Sequence, residues 1–207
     1  MFKNKIVYMV KKVLYVSGWC FFRVIFACLW RRRVIGLEYI PAEGPVIIAS
    51  NHLSNADPPV VGSSLKREVF YIAKEELFRI PVLGTLIRLV NGFPVKREQR
   101  DIKALKVSLR ILQQGKMLLL FPEGHRNPDK KNLKLKAGVG LLANMSRAAV
   151  VPTLVINTDK LLLFKKIYVV FGKPLYFQKG GERSNQYYAF TQNIMNAIGK
   201  LREQNVD

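Results

Sequence analysis

Cysteine, histidine and acidic residues are scarce in this 207-residue chain: two Cys, two His, and 14 Asp plus Glu against 34 Lys plus Arg. Cys20 and Cys28 make no disulfide framework, which fits a reducing compartment. The two histidines and few acids form no cluster with metal-ligand spacing, so no metal site is expected. The apolar N-terminal stretch is not followed by an A-x-A-like cleavage site, which argues against a cleaved leader. There is no Gly-x-Ser-x-Gly elbow, and so no sign of that serine-nucleophile route. Neither an internal repeat nor a low-complexity linker interrupts the chain.

What is abundant is positive charge on an apolar chain. The formal net charge is +20, and 49% of residues are hydrophobic. The charge alone would fit a nucleic-acid binder or a basic tail. The hydrophobic content excludes disorder. The length suits one α/β domain, with or without a short appendage.

Residues 1–33 hold eight bases (Lys3, Lys5, Lys11, Lys12, Arg23, Arg31, Arg32, Arg33) and no acid. The same segment is the most apolar of the chain. Val13 to Phe22 is uncharged, Arg23 interrupts, and Val24 to Trp30 continues. Together they make 18 residues, near the lower limit of a spanning helix. Arg23 would then lie mid-span at a cost of about 2.5–3.5 kcal/mol. A helix or helical hairpin in the membrane interface accounts for both basic flanks more simply than a span or an ordinary core helix. Its apolar side chains enter the acyl layer while Lys and Arg meet anionic headgroups. Residues 1–33 are therefore expected to attach to a membrane, and 34–207 to form the α/β domain.

Past residue 34, short apolar runs alternate with helical patterns. Val34–Tyr39 leans to strand, and Pro41–Pro45 reads as a turn. Val46–Ser50, Val69–Ala73, Met117–Phe121, Val150–Ile156 and Ile167–Phe171 read as strands, with Gly92–Val95 short and extended. Glu75–Val90 reads as helix broken at Pro81. Ile102, Leu105, Leu109 and Leu112 form one stripe of a helix ending at Gly115. Gly138–Ser146 and a segment marked by Tyr187, Phe190, Ile194, Ile198 and Leu201 complete the helices. The alternation argues for an α/β sheet with helices on its faces.

Two polar clusters follow buried strands. Asn51, His52 and Asp57 come after Val46–Ser50, at the sheet edge where ligands collect. Asp57 before Pro58 is expected to cap the next helix. In a loop, its carboxylate can accept from His52 Nδ1 and leave Nε2 as a base. Glu123, Gly124, His125 and Arg126 follow Met117–Phe121, where Arg126 offers a fork for phosphate or carboxylate. Each cluster alone also fits an ordinary polar loop. Lys96 and Arg97 follow Gly92 and Phe93, and Lys136 opens a helix against its dipole.

Taken in order, these residues resemble the glycerolipid acyltransferase family, most of all its 1-acyl-glycerol-3-phosphate acyltransferases. Asn51, His52 and Asp57 match N-H-x4-D. Gly92, Phe93, Lys96 and Arg97 approximate the second motif. Phe121, Pro122, Glu123, Gly124 and Arg126 match F-P-E-G-T-R, with His125 in place of Thr. Lys136 and Gly138 match the K-x-G that follows, and Val151-Pro152 the last motif. The resemblance spans about residues 34–175.

It implies a mixed sheet flanked by helices, and acyl transfer from a coenzyme A or acyl carrier protein thioester to the sn-2 hydroxyl of 1-acyl-glycerol-3-phosphate. His52 would be the base and Asp57 its partner. Asn51, Gly92, Phe93, Lys96, Arg97, Glu123, Gly124, His125, Arg126 and Lys136 would bind substrate. No cofactor beyond the thioester is implied. Membrane lipids would be partners and nucleic acid would not, and the cytoplasmic face of the cell membrane is the expected location. The rival acceptor is another lysolipid. The rival class is a non-catalytic basic membrane- or nucleic-acid-binding protein, and nucleic-acid binding would show steep salt dependence.

Overall fold

The structure, a computed structural model, describes residues 2–95, 101–128, 135–178 and 183–205. Helix α1 is Phe2–Trp30, and the short strand β1 is Arg33–Ile35. Strand β2 is Val46–Ser50, helix α2 Asp57–Gly62 and strand β3 Val69–Lys74. Helix α3 (Leu83–Leu89), strand β4 (Gly92–Val95), helix α4 (Ile102–Gln113) and strand β5 (Met117–Leu120) follow. Helix α5 (Gly138–Ser146), strand β6 (Ala149–Ile156), strand β7 (Tyr168–Phe171) and helix α6 (Arg183–Asn205) complete the chain. The expected Glu75–Val90 helix is indeed split, into a 3-10 turn at Glu75–Arg79 and α3 beyond Pro81. The expected strand from Val34 is short because the chain turns at Gly36 into a 3-10 turn at Leu37–Tyr39.

The strands form one mixed sheet in the order β1-β7-β6-β2-β5-β3-β4. Strands β6, β2, β5, β3 and β4 run parallel, and β7 is antiparallel to β6. Alternation along each strand splits the core in two. Ile47, Ala49, Leu118, Leu120, Val150 and Leu154 meet α4, α5 and α6 residues such as Leu112, Leu142 and Ile194. Val46, Ile48, Met117, Leu119, Val151 and Val155 meet Val60, Val61 and Phe26 from α2 and α1. Near-continuous apolar runs such as Val46–Ala49 are what a strand covered on both faces requires.

Helix α1 is one continuous helix rather than a hairpin. Met9–Trp30 is long and apolar enough, by length and composition, to cross a membrane. One side of it nevertheless packs on the domain. The Val69 N–H donates to the Tyr15 hydroxyl at 3.2 Å, and Trp19 Nε1 donates to the Leu65 carbonyl at 2.9 Å. Phe22, Phe26 and Trp30 follow as an aromatic row, with successive ring centroids 5.8 and 5.6 Å apart. The other side leaves Met9, Val13, Phe21, Val24 and Leu29 exposed. Arg23 is also exposed, its guanidinium 4.8 Å from the Trp19 ring centre, a favourable cation–π placement.

The parallel strands bring the C-terminal ends of β2, β5 and β6 to one edge of the sheet. Strands β7 and β1 start at that same edge, because Tyr168 pairs with both Ile156 and Arg33. The end of α1, the loop after β6 and the loop carrying His52 therefore share an edge.

Candidate active site

Strand β2 is buried at every position, so its last residues emerge from a fixed platform. Asn51 continues the platform. Its Nδ2 donates to the Val155 carbonyl at 2.9 Å, and its Oδ1 accepts the Val155 N–H at 2.7 Å. The side chain thus imitates a strand ladder between β2 and β6 and is turned away from the cavity described below. Asn51, expected as a substrate contact, braces the end of β2 against β6 through these two bonds.

His52 follows. Its N–H donates to Glu123 Oε1 at 3.2 Å, and its carbonyl accepts the Asn127 N–H at 2.8 Å. The imidazole stacks on Phe121, with ring centroids 3.9 Å apart and planes at 15°. Its Nδ1 lies 2.7 Å from Asp57 Oδ2. That oxygen also accepts the N–H groups of Leu53 at 2.7 Å and Ser54 at 2.9 Å. An oxygen receiving two backbone donors is an acceptor for the third as well, so Nδ1 carries the proton and Nε2 keeps its lone pair. Asp57 is not the expected N-cap. Ala56 holds that place, and Asp57 is the first helical residue, because its carboxylate turns back to the preceding loop. Its other oxygen, Oδ1, is buried without a hydrogen-bond partner among the described residues.

Strand β5 lies beside β2, with Ala49 opposite Leu120, and so delivers Phe121 and Glu123 next to His52. Glu123 is buried and bonds to the His52 backbone and to Asn127. Burial holds its carboxyl above the ordinary 4.5, and the negative charge of Asp57 adds to this, while the His52 and Asn127 bonds oppose it. A native carboxyl with a raised pKa binds its proton more tightly than the unfolded chain does. Its contribution to stability is full below about 4.5 and is lost as pH rises through the native value. Glu123→Gln keeps an acceptor for the His52 N–H and has no proton to lose. The melting temperature of this variant, relative to the parent, should rise between about pH 4 and neutrality. A flat difference would show that the native Glu123 carboxyl does not hold its proton more tightly than in the unfolded chain.

Gly124 has φ +71°, a conformation a side chain would strain, and the Lys136 chain passes close by, its Cε 2.6 Å from where a Cβ would lie. Lys136, His125 and Arg126 are exposed. Lys96 and Arg97 lie outside the described residues. Gly92 and Phe93 do not line the cavity. A Cβ on Gly92 would lie 2.4 Å from Ile87 Cγ2, and Phe93 packs against the core cluster beneath α4. Their motif position has a packing explanation in this fold.

His52 lines a cavity of about 810 Å³ between the sheet edge, α4 and α5. Ile72, Leu105, Leu141 and Leu142 make apolar wall, with Lys136 and Gly124 also on the lining and Tyr187 contributed by α6. The expected stripe on α4 is therefore partly cavity wall. Ile102 is exposed and lines the cavity, whereas the buried positions are Ala104, Ser108, Ile111 and Leu112. Sequence reasoning missed Asn127, which holds the His52 carbonyl, and Ser108, whose buried hydroxyl lacks a partner among the described residues. Neither carries a local pattern that would have marked it. Among the described residues, no group of three or more His, Cys, Asp or Glu could hold a metal ion.

Comparison with known proteins places this geometry. The Acyltransferase family model matches residues 31–156, from the end of α1 through β6. A 1-acyl-sn-glycerol-3-phosphate acyltransferase of Bacillus subtilis is 30% identical over 148 residues, covering 70% of this chain and 73% of that protein. A chloroplastic 1-acyl-sn-glycerol-3-phosphate acyltransferase of Arabidopsis thaliana is 27% identical over 168 residues, and the chain spans 47% of its length. The crystal structure of the 1-acyl-sn-glycerophosphate (LPA) acyltransferase PlsC from Thermotoga maritima shares the fold. Its TM-score is 0.73 at 24% identity, covering 95% of this chain and 82% of that one. The family match takes in the His52–Asp57 pair, the Phe121–Arg126 loop and the two central strands, β2 and β5, that carry them, and this chain belongs to the acyltransferase family.

Proposed function

We propose that this acyltransferase moves a fatty acyl group from a thioester to the sn-2 hydroxyl of 1-acyl-glycerol-3-phosphate, making phosphatidic acid. The observation that carries the reading is the His52 Nδ1–Asp57 Oδ2 contact of 2.7 Å on the wall of a largely apolar cavity. Relatives named for this reaction support the acceptor.

In the proposed step, His52 Nε2 takes the hydroxyl proton as the acceptor oxygen attacks the thioester carbonyl. The C–O ester bond forms, the C–S bond breaks, and the proton passes from the imidazolium to the departing sulfur. Asp57 holds the ring and stabilises its cationic form. The acyl chain lies along Ile72, Leu105 and Leu141, where apolar wall replaces water. Lys136 and Arg126, with Lys96 and Arg97, hold the acceptor phosphate. The thioester is a co-substrate and no further cofactor is needed. Membrane lipid is the partner and nucleic acid is not. The protein works on the cytoplasmic face, where the thioester donors are available.

The test offers purified protein a panel of lysolipids, each with acyl-CoA and with acyl carrier protein. Lysophosphatidic acid should be preferred by about tenfold or more over lysolipids lacking a phosphate monoester, because that group gains most from the basic cluster. Arg126→Ala should erase most of the preference. Equal use of all acceptors would leave an acyltransferase of the same mechanism with another lysolipid substrate. Absence of transfer to any lysolipid would reject the reading.

A further inference from the structure

Between β6 and β7 the chain makes a 3-10 turn, Thr158–Leu163, followed by Phe164-Lys165-Lys166. Its tip is apolar and exposed. Leu162 is 94% exposed, Leu163 65% and Phe164 57%. Three large apolar side chains in sequence on a water-facing tip need a reason. The turn is held at its base. Asn157 Nδ2 donates to the Lys166 carbonyl at 2.8 Å, and the Phe164 N–H donates to the Leu161 carbonyl at 3.0 Å. Leu161 itself packs against the core. The exposed tip is thus a built projection.

The projection is joined to α1. Trp30 Nε1 donates to the Leu161 carbonyl at 2.8 Å, and the Trp30 ring stacks on Phe164 with centroids 5.7 Å apart and planes at 13°. The Ile167 N–H donates to the Trp30 carbonyl at 3.2 Å. The exposed apolar residues of α1 run to Leu29, and the Trp30–Phe164 stack sets the apolar tip beside that end of the helix. Next to this junction in sequence are Arg31 and Arg33 after Trp30 and Lys160, Lys165 and Lys166 on the turn, of which all but the half-buried Lys166 are exposed, with Asp159 as the acid on the turn. An apolar tip collared by bases matches an anionic bilayer surface, with acyl chains for the leucines and headgroups for the cations.

We propose that the Thr158–Lys166 projection is a second membrane-insertion point, which enters the same leaflet as the exposed side of α1 and fixes how the domain sits on an anionic bilayer. The consequence follows from topology. The projection leaves β6 at the edge where β2 delivers His52. Seating it in the leaflet holds the His52 edge at the lipid surface. A helix standing upright across the bilayer is incompatible with this seating, because α1 is held side-on by Tyr15, Trp19 and Phe26.

Deleting α1 is a poor test, because Phe26 belongs to the core. The projection is tested directly. Cys20 and Cys28 are replaced by Ser, Leu162 by Cys, and the new thiol is labelled with an environment-sensitive fluorophore. On vesicles of phosphatidylcholine with about one-third phosphatidylglycerol, the emission should shift to the blue and be quenched by lipid-borne nitroxide. On phosphatidylcholine alone, binding should be weaker. Emission that keeps its aqueous value on both vesicles overturns the proposal, as does a shift that needs a soluble acidic carrier protein rather than lipid.

In parallel, Leu162→Glu/Leu163→Glu should weaken binding to the anionic vesicles by about tenfold or more. Its turnover of short-chain acceptor and donor in solution should stay within about twofold of the parent, since neither leucine lines the cavity. Unchanged vesicle binding overturns the proposal. The inference does not rest on the reaction assigned above. If the parent shows no transfer, that assignment fails while the vesicle measurements still decide the projection.

Discussion

His52→Ala should lower kcat for acyl transfer by about two to four orders of magnitude while KM for the thioester changes little. The ring nitrogen turned from Asp57 is the only group assigned to take the acceptor proton, and alanine leaves nothing in its place. A neutral hydroxyl must then attack unaided, and the barrier rises by about 1.4 kcal/mol for each tenfold lost. Thioester binding should persist because the cavity wall is made by α4, α5 and the strand ends, of which His52 is one member. The variant should still fold. His52 is held chiefly through its backbone, by Glu123 and Asn127, and those bonds survive truncation. What is lost is the stack on Phe121 and one donor to Asp57, a destabilisation of about 1–3 kcal/mol. Single-turnover rates measured beside a thermal melt separate the two effects. A folded variant that turns over within about tenfold of the parent removes His52 from the role of base.

The strands of the parallel core were legible because a strand covered on both faces has one sequence signature, an unbroken apolar run. Val46–Ala49 and Met117–Leu120 show it, and both are buried throughout. The His52–Asp57 pair was legible as a pair because a polar loop follows such a run, but Asp57 was assigned the wrong local role. A carboxylate before Pro58 looks the same in sequence whether it caps the helix or turns back toward the loop. Helix α4 shows a second limit. Periodicity marks an apolar face and cannot tell core from cavity wall, and Ile102 and Leu105 of the expected stripe line the cavity. Asn51 and Glu123 were assigned to substrate because they stand in motifs. Their bonds to Val155 and to the His52 N–H are long-range contacts with no trace in local spacing. The Leu162–Phe164 tip escaped notice for the opposite reason. A four-residue apolar run, Leu161–Phe164, is too short for a period, and only the fold reveals that its last three residues face outward.

Asp57 gives the sharper test of the pair, because its bonding pattern separates charge from scaffold. Its Oδ2 accepts three N–H groups, from His52 Nδ1, Leu53 and Ser54, while Oδ1 has no hydrogen-bond partner among the described residues. In Asp57→Asn the amide oxygen must take the Oδ2 place, since an NH2 there would face three donors. The His52 tautomer is then retained, and only the negative charge is gone. The NH2 in the Oδ1 place is a buried donor without an acceptor, a cost of about 1–3 kcal/mol. The imidazolium formed during transfer loses its counter-charge in a buried site, where close opposite charges are worth several kcal/mol, so kcat should fall by about a hundredfold or more. Asp57→Ala should fall further in stability, because the Leu53 and Ser54 N–H groups lose their acceptor together and the loop that aims His52 comes undone. The expected order is therefore parent, Asn, Ala in melting temperature, with both variants far below the parent in kcat. If Asn keeps kcat within about threefold while its melting temperature drops, Asp57 is a clamp for the loop and the imidazolium needs no carboxylate beside it.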